Sequence, residues 1–188
     1  MTLGVFAQGS VNNSTAATVG AIATNSTTGY YNGPITVQVW FLNSATVPGN
    51  INSLSPQTAY NNMIADGFTQ AGANFTSANI TFGTYSAGEL DIAGINRATA
   101  GGNAAFAIVA WNNNTTSSFT SLGAGSLAGV YAFENPTANY TTSPKPTPPN
   151  YTGWSQNLVL AAVPEPGTLA LAGLGAAAFL IARRRKQS

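Results

Sequence analysis

The chain contains no histidine and no cysteine, and only 6% of its residues carry charge. Without histidine there is no Ser-His-Asp or Cys-His catalysis, and the commonest zinc ligand is missing. Without cysteine there is no disulfide scaffold, so stability has to come from packing and hydrogen bonding. Away from the extreme C-terminus, Asp66, Glu89, Asp91 and Glu134 face only Arg97 and Lys145, which leaves no basic surface for nucleic acid. Phosphate loops are lacking as well: "AGG" at Ala100–Gly102 has neither the lysine nor the spacing. What remains to an enzyme is carboxylate chemistry, and a glycosidase needs two acids facing each other across a cleft. Glu89 and Asp91 would share one face of a strand, but they open it beside Gly88, where a solvated edge pair is the ordinary arrangement. A calcium loop usually collects more acids than this pair. We therefore expect no enzyme activity, no cofactor and no metal.

Polarity is supplied instead by Asn, Thr, Ser and Gln. The 44% hydrophobic content and the aromatic residues argue against disorder. Residues 9–162 are expected to form one mainly β domain, an antiparallel β-sandwich with one short helix. In "ITVQVWF", Ile35, Val37, Val39 and Phe41 lie on one face and Thr36, Gln38 and Trp40 on the other. "AAFAIVAW", Ala104–Trp111, is apolar on both faces, as a central strand would be. Further strands are expected over Ala16–Ala23, Ser77–Tyr85, Glu89–Ile95, Gly129–Phe133 and Gln156–Val163. The exception is "SPQTAYNNMIADGF": Ser55 as N-cap, Pro56 at the first helical position and Gly67 as a stop predict a helix over Pro56–Asp66. The segment Thr141–Trp154, "TTSPKPTPPNYTGW", reads as an extended loop into the last strand.

The C-terminus breaks the scarcity of charge. Four of the six basic residues, Arg183, Arg184, Arg185 and Lys186, follow directly on an uncharged run from Gly167 to Ala182 that includes Leu169, Leu171, Leu174, Phe179, Leu180 and Ile181. At 1.5 Å per residue this run reaches about 24 Å, slightly short of a hydrocarbon core of about 30 Å. Two features favour a single transmembrane helix over a buried core helix: the run has no polar face, and the cations at its end can snorkel to the headgroups. Lys and Arg concentrate on the cytoplasmic side of a span, which puts the C-terminus inside and the body outside.

In front of the span stands Val163-Pro164-Glu165-Pro166. Its prolines lack backbone donors and bias Val163 and Glu165 toward extended geometry, as an exposed strip for a processing enzyme requires. The motif, the apolar span and the Arg-rich end, in that order, resemble the PEP-CTERM sorting signal of bacterial envelope proteins. The resemblance implies an exosortase as partner, an inner-membrane-anchored precursor, cleavage near the motif, and release or attachment at the cell surface. "FAQGSVN", "VQVWF", "FAIVAWN" with "SSF", and "LVLAAVPEP" further resemble small PEP-CTERM envelope proteins of the Verrucomicrobia, whose bodies are predicted sandwiches of unassigned function.

At the other end, Val5-Phe6-Ala7 resembles the close of a secretory signal. The charged region that should precede it is missing, so residues 1–8 are expected to be a signal remnant, with Met1 an internal start or the chain incomplete at its front, or else the lead-in to a first strand. Asn13, Asn25, Asn74, Asn79, Asn114, Asn139 and Asn150 each open an Asn-x-Ser/Thr triplet. Two functional classes remain. One is a structural or adhesive envelope or matrix protein meeting polysaccharide or neighbouring copies. The other is a carbohydrate-binding module stacking Trp40, Trp111, Tyr30, Tyr31 or Trp154 on sugar rings. A binding module should expose two or three coplanar rings; Trp111 ends an apolar strand and Trp40 opposes a hydrophobic face, which favours burial of both.

Overall fold

In the computed structural model, residues 8–14, 20–24, 29–93, 102–113, 118–139 and 146–163 are described. They form ten strands and one α-helix: β1 Gln8–Ser14, β2 Ile22–Ala23, β3 Gly33–Leu42, α1 Pro56–Ala65, β4 Thr69–Ile80, β5 Ser86–Ala93, β6 Asn103–Trp111, β7 Leu127–Pro136, β8 Ala138–Asn139, β9 Leu158–Val159 and β10 Ala161–Ala162. The described residues are thus mainly β, with one α-helix among them. A five-stranded antiparallel sheet runs β10-β7-β6-β3-β4, a three-stranded antiparallel sheet runs β5-β1-β8, and β2 pairs with β9 in parallel.

The five-stranded sheet is covered on both faces, and the alternation along β6 shows how. Ala104, Phe106, Ile108 and Ala110 belong to one core, together with Ile35, Val37 and Val39 of β3 and with Val11 of β1 and Ile92 of β5. Ala105, Ala107, Val109 and Trp111 point the other way and pack with Ala59, Tyr60 and Met63 of α1. A strand apolar on both faces fits only such a buried, central position.

Strand β3 reaches further than its pattern suggested. Thr36 and Gln38, on its nominally polar face, are buried. Their polar atoms are satisfied: Thr36 Oγ1 donates to the carbonyl of Asn113, and Gln38 Nε2 donates to Asn74 Oδ1 at 3.1 Å. Trp40 Nε1 in turn donates to Gln38 Oε1, and its ring meets Tyr60 edge-on at 5.7 Å. A buried polar group is tolerated when its hydrogen bonds are made.

Other boundaries moved. The helix begins at Pro56 as expected and ends at Ala65, with Gly67 adopting φ +90 beyond it. Ser55 sits at the N-cap position, but its hydroxyl pairs with Thr58 Oγ1 rather than with the backbone. The stretch Ser77–Tyr85 is not one strand: β4 stops at Ile80 and a turn over Thr81–Thr84 carries the chain into the other sheet as β5. Strand β1 takes up only Gln8 of the expected lead-in and otherwise lies within the expected domain 9–162. The expected strand Ala16–Ala23 is realised only as β2 among the described residues. From the Pro-rich segment, Tyr151 and Trp154 enter the core, where Trp154 stacks on Phe133 at 5.9 Å.

Candidate functional site at the C-terminal exit of the body

The last described strand is short and lies on an edge. Ala161 and Ala162 of β10 pair with Ala128 and Leu127 of β7. The pairing continues one residue further, because the Val163 N–H donates to the Ser126 carbonyl at 2.8 Å and the Val163 carbonyl accepts from the Gly125 N–H at 3.4 Å. The Val163 side chain is buried in the core beneath α1. The first residue of the Val163–Pro166 strip is therefore part of the fold, not of an exposed tether. An apolar residue beside an edge strand joins the core if its register points inward, and the motif pattern carries no register information.

The chain leaves the body at a common end of the sheet. Val163 lies against Ser126, Asn112 donates its N–H to Leu127, Thr36 pairs with Trp111, and Gly33 pairs with Ile80. Across the sheet, therefore, Val163, Ser126, Asn112, Pro34 and Ile80 mark one end. Glu134, paired with Ala105, and Asp66, just before β4, belong to the opposite end.

Residues 162–186 match the PEP-CTERM protein-sorting motif. The chain is accordingly an exosortase substrate, exported by way of a membrane-anchored precursor. No curated protein and no solved structure matches it. The PEP-CTERM match starts at Ala162, the end of β10, so the sorting signal and the last strand overlap. Of the expected site residues, Val163 is the one the structure places. Pro164, Glu165, Pro166, the run Gly167–Ala182 with Leu169, Leu171, Leu174, Phe179, Leu180 and Ile181, and the cluster Arg183–Lys186 lie outside the described residues. Among the described residues, no helix is long and apolar enough to cross a membrane.

The candidate sugar-stacking rings are mostly internal. Trp111 and Trp154 are fully buried, Tyr31 is buried, and Trp40 is half-buried against Tyr60. Glu89 and Asp91 fall on β5, opposite Asn12 and Ser10 of β1, and are exposed. Among the described residues, no three potential metal ligands converge. Of the Asn-x-Ser/Thr triplets, Asn79 and Asn150 present exposed asparagines, whereas Asn13 is buried beneath Tyr85, whose hydroxyl donates to Asn13 Oδ1 at 2.9 Å. Asn74 accepts from both Gln38 and Gln70.

Sequence reasoning missed the exposed aromatic Phe82, which stands at the tip of the turn between β4 and β5. The signal was present but disguised. A Phe-Gly dipeptide is not a usual hairpin turn, whereas Asn-Gly or Asp-Gly would have been read as one.

Proposed function

We infer that this protein is a non-enzymatic component of the bacterial cell envelope or extracellular matrix. It is held in the inner membrane before processing by a helix over residues 167–182, with Arg183–Lys186 in the cytoplasm and an antiparallel β-sandwich body outside. Exosortase processing beyond Val163 then delivers the body to the cell surface or the surrounding matrix, where it meets polysaccharide or neighbouring copies. The observation that carries this reading is the junction itself: the PEP-CTERM motif begins on the last strand, leaving no further domain between body and signal. The scarcity of charge and the polar amide and hydroxyl surface suit a role in matrix better than one in catalysis. A carbohydrate-binding module is the weaker reading, because the rings it would use are mainly in the core.

Replacing Arg183, Arg184, Arg185 and Lys186 together by Gln or Ser tests the topology. Protease accessibility of the two ends should show loss of the fixed orientation, with impaired retention and sorting and an intact body. Normal topology and processing after that change would remove the argument from the cations.

A further inference from the structure

We propose that, in the membrane-anchored precursor, the end of the body carrying Phe82 and Tyr30 rests on the outer surface of the lipid bilayer. The proposal depends on the reading of residues 167–182 as a membrane span.

Tether length comes first. Val163 is fixed in the sheet by its hydrogen bonds to Ser126 and Gly125, and a span opening at Gly167 follows four residues later. At no more than about 3.6 Å per residue, those four steps hold Val163 within about 14 Å of the start of the hydrocarbon run. The corner of the sheet at Val163 is therefore kept near the headgroups, and Ser126, Asn112, Pro34 and Ile80 lie at that same end of the sheet.

What that end presents comes second. Beyond Ile80 the chain turns over Thr81–Thr84, and the Phe82 side chain at its tip is 69% exposed. Tyr30, 42% exposed, is its neighbour through Asn32: the Phe82 N–H donates to Asn32 Oδ1 at 2.8 Å, and Asn32 Nδ2 donates to the Tyr30 carbonyl at 3.4 Å. Among the described residues these are the two exposed aromatic side chains. Aromatic rings of this kind favour the membrane–water interface. No described acid sits at this end: Asp66 and Glu134 lie at the opposite one, and Glu89 and Asp91 lie three and five residues along β5 from its first residue.

Third, folding does not account for the choice of residue. Phe82 and Gly83 have φ +54 and +65, the consecutive positive values of a type I′ turn. Gly83 is required there, since a Cβ would collide with the Ile22 carbonyl. Phe82 has no such reason, since its side chain is open to solvent and its left-handed backbone is unfavourable for a residue other than Gly, Asn or Asp. A large apolar ring held outward in a strained turn points to a surface it touches.

Because the chain has no cysteine, Phe82→Cys and Ile64→Cys each provide a unique attachment point, the second on α1 near the opposite end. Full-length precursor carrying a polarity-sensitive fluorophore at either position is reconstituted into phosphatidylcholine vesicles containing nitroxide-labelled phosphatidylcholine. The expected result is that both proteins float with the vesicles and that the label at position 82 is quenched several-fold more than the label at 64. Flotation with equal quenching at the two positions overturns the docking and leaves the span reading in place. Failure to float overturns the span reading, and the docking with it. If Phe82→Cys does not fold, Thr81→Cys on the same exposed turn carries the label. If quenching shows no preference while a Tyr30→Ser, Phe82→Ser variant slows exosortase processing, the surface serves a protein and the lipid proposal is wrong.

Discussion

Asn52 pairs with Ala132 as though it were a one-residue strand: its Nδ2 donates to the Ala132 carbonyl at 2.8 Å, and its Oδ1 accepts the Ala132 N–H at 2.7 Å. The two bonds cover the outer edge of β7 where the two-residue β10 no longer reaches. An open edge is a template for pairing with another chain, so this side chain protects the border from which the sorting signal departs. Asn52→Ala should lower stability by about 1–3 kcal/mol, since a backbone donor and acceptor lose their partners. Denaturant unfolding checks the loss, and light scattering should reveal an increased tendency to associate.

Residues 8–163 should fold by themselves, because every described strand of the two antiparallel sheets and both described cores lie within them. Circular dichroism of that fragment should be of β type. Ending it at Ala162 instead removes a buried valine side chain and two backbone hydrogen bonds, a loss of about 2–3 kcal/mol. A predominantly helical spectrum would contradict the architecture.

Alkaline pH should unfold the protein cooperatively. Tyr85 and Tyr151 share Asn13 Oδ1 as acceptor. Burial raises both phenols above their ordinary value, and for Tyr151 the neighbouring Tyr85 adds to the rise. They stay protonated in the fold while the unfolded chain ionises near pH 10. Stability is therefore complete below about pH 10 and falls above it, by about 1.4 kcal/mol per pH unit per tyrosine. Phenolate absorbance should appear together with loss of the β signal; phenolate from both tyrosines with the fold intact would contradict this.

Phe82→Asn should stabilise the body, by about 1 kcal/mol, because asparagine tolerates the left-handed backbone that phenylalanine resists. A higher melting temperature would show that the wild-type ring is kept at a cost in stability. An unchanged or lower one would mean that its packing offsets the strain.

How much of this was legible follows from what each residue signals locally. The helix over Pro56–Ala65 announced itself through Ser55, Pro56 and Gly67, and the two-sided apolar run of β6 announced a central strand, because both depend on short-range chemistry. Strand β1 did not, since "QGSVNNS" offers only Val11 as an apolar residue and its place is fixed by pairing with β5 and β8. The buried faces of Thr36 and Gln38 were hidden because their partners, Asn113 and Asn74, are distant in sequence. Tyr151 and Trp154 lay in a stretch whose prolines suggested a loop, and only the tertiary structure shows that the loop fills the core. The sorting motif was the most legible feature, and Val163 carried two readings, the end of a strand over Gln156–Val163 and the start of an exposed strip; its hydrogen bonds and burial favour the first.

The central claim is that the body ends at Val163 and that Pro164–Pro166 is the strip on which processing depends. The most direct measurement is the mass and cellular location of the product in a host with an intact exosortase, for the wild-type chain and for Pro164→Ala, Glu165→Ala, Pro166→Ala together. The wild type should mature to a product whose C-terminus lies beyond Val163, since that residue is hydrogen-bonded and buried. The triple variant should be exported and folded but remain full-length in the inner membrane. A triple variant that matures to the same mass and reaches the same place as the wild type would reduce the motif to a linker and contradict the account.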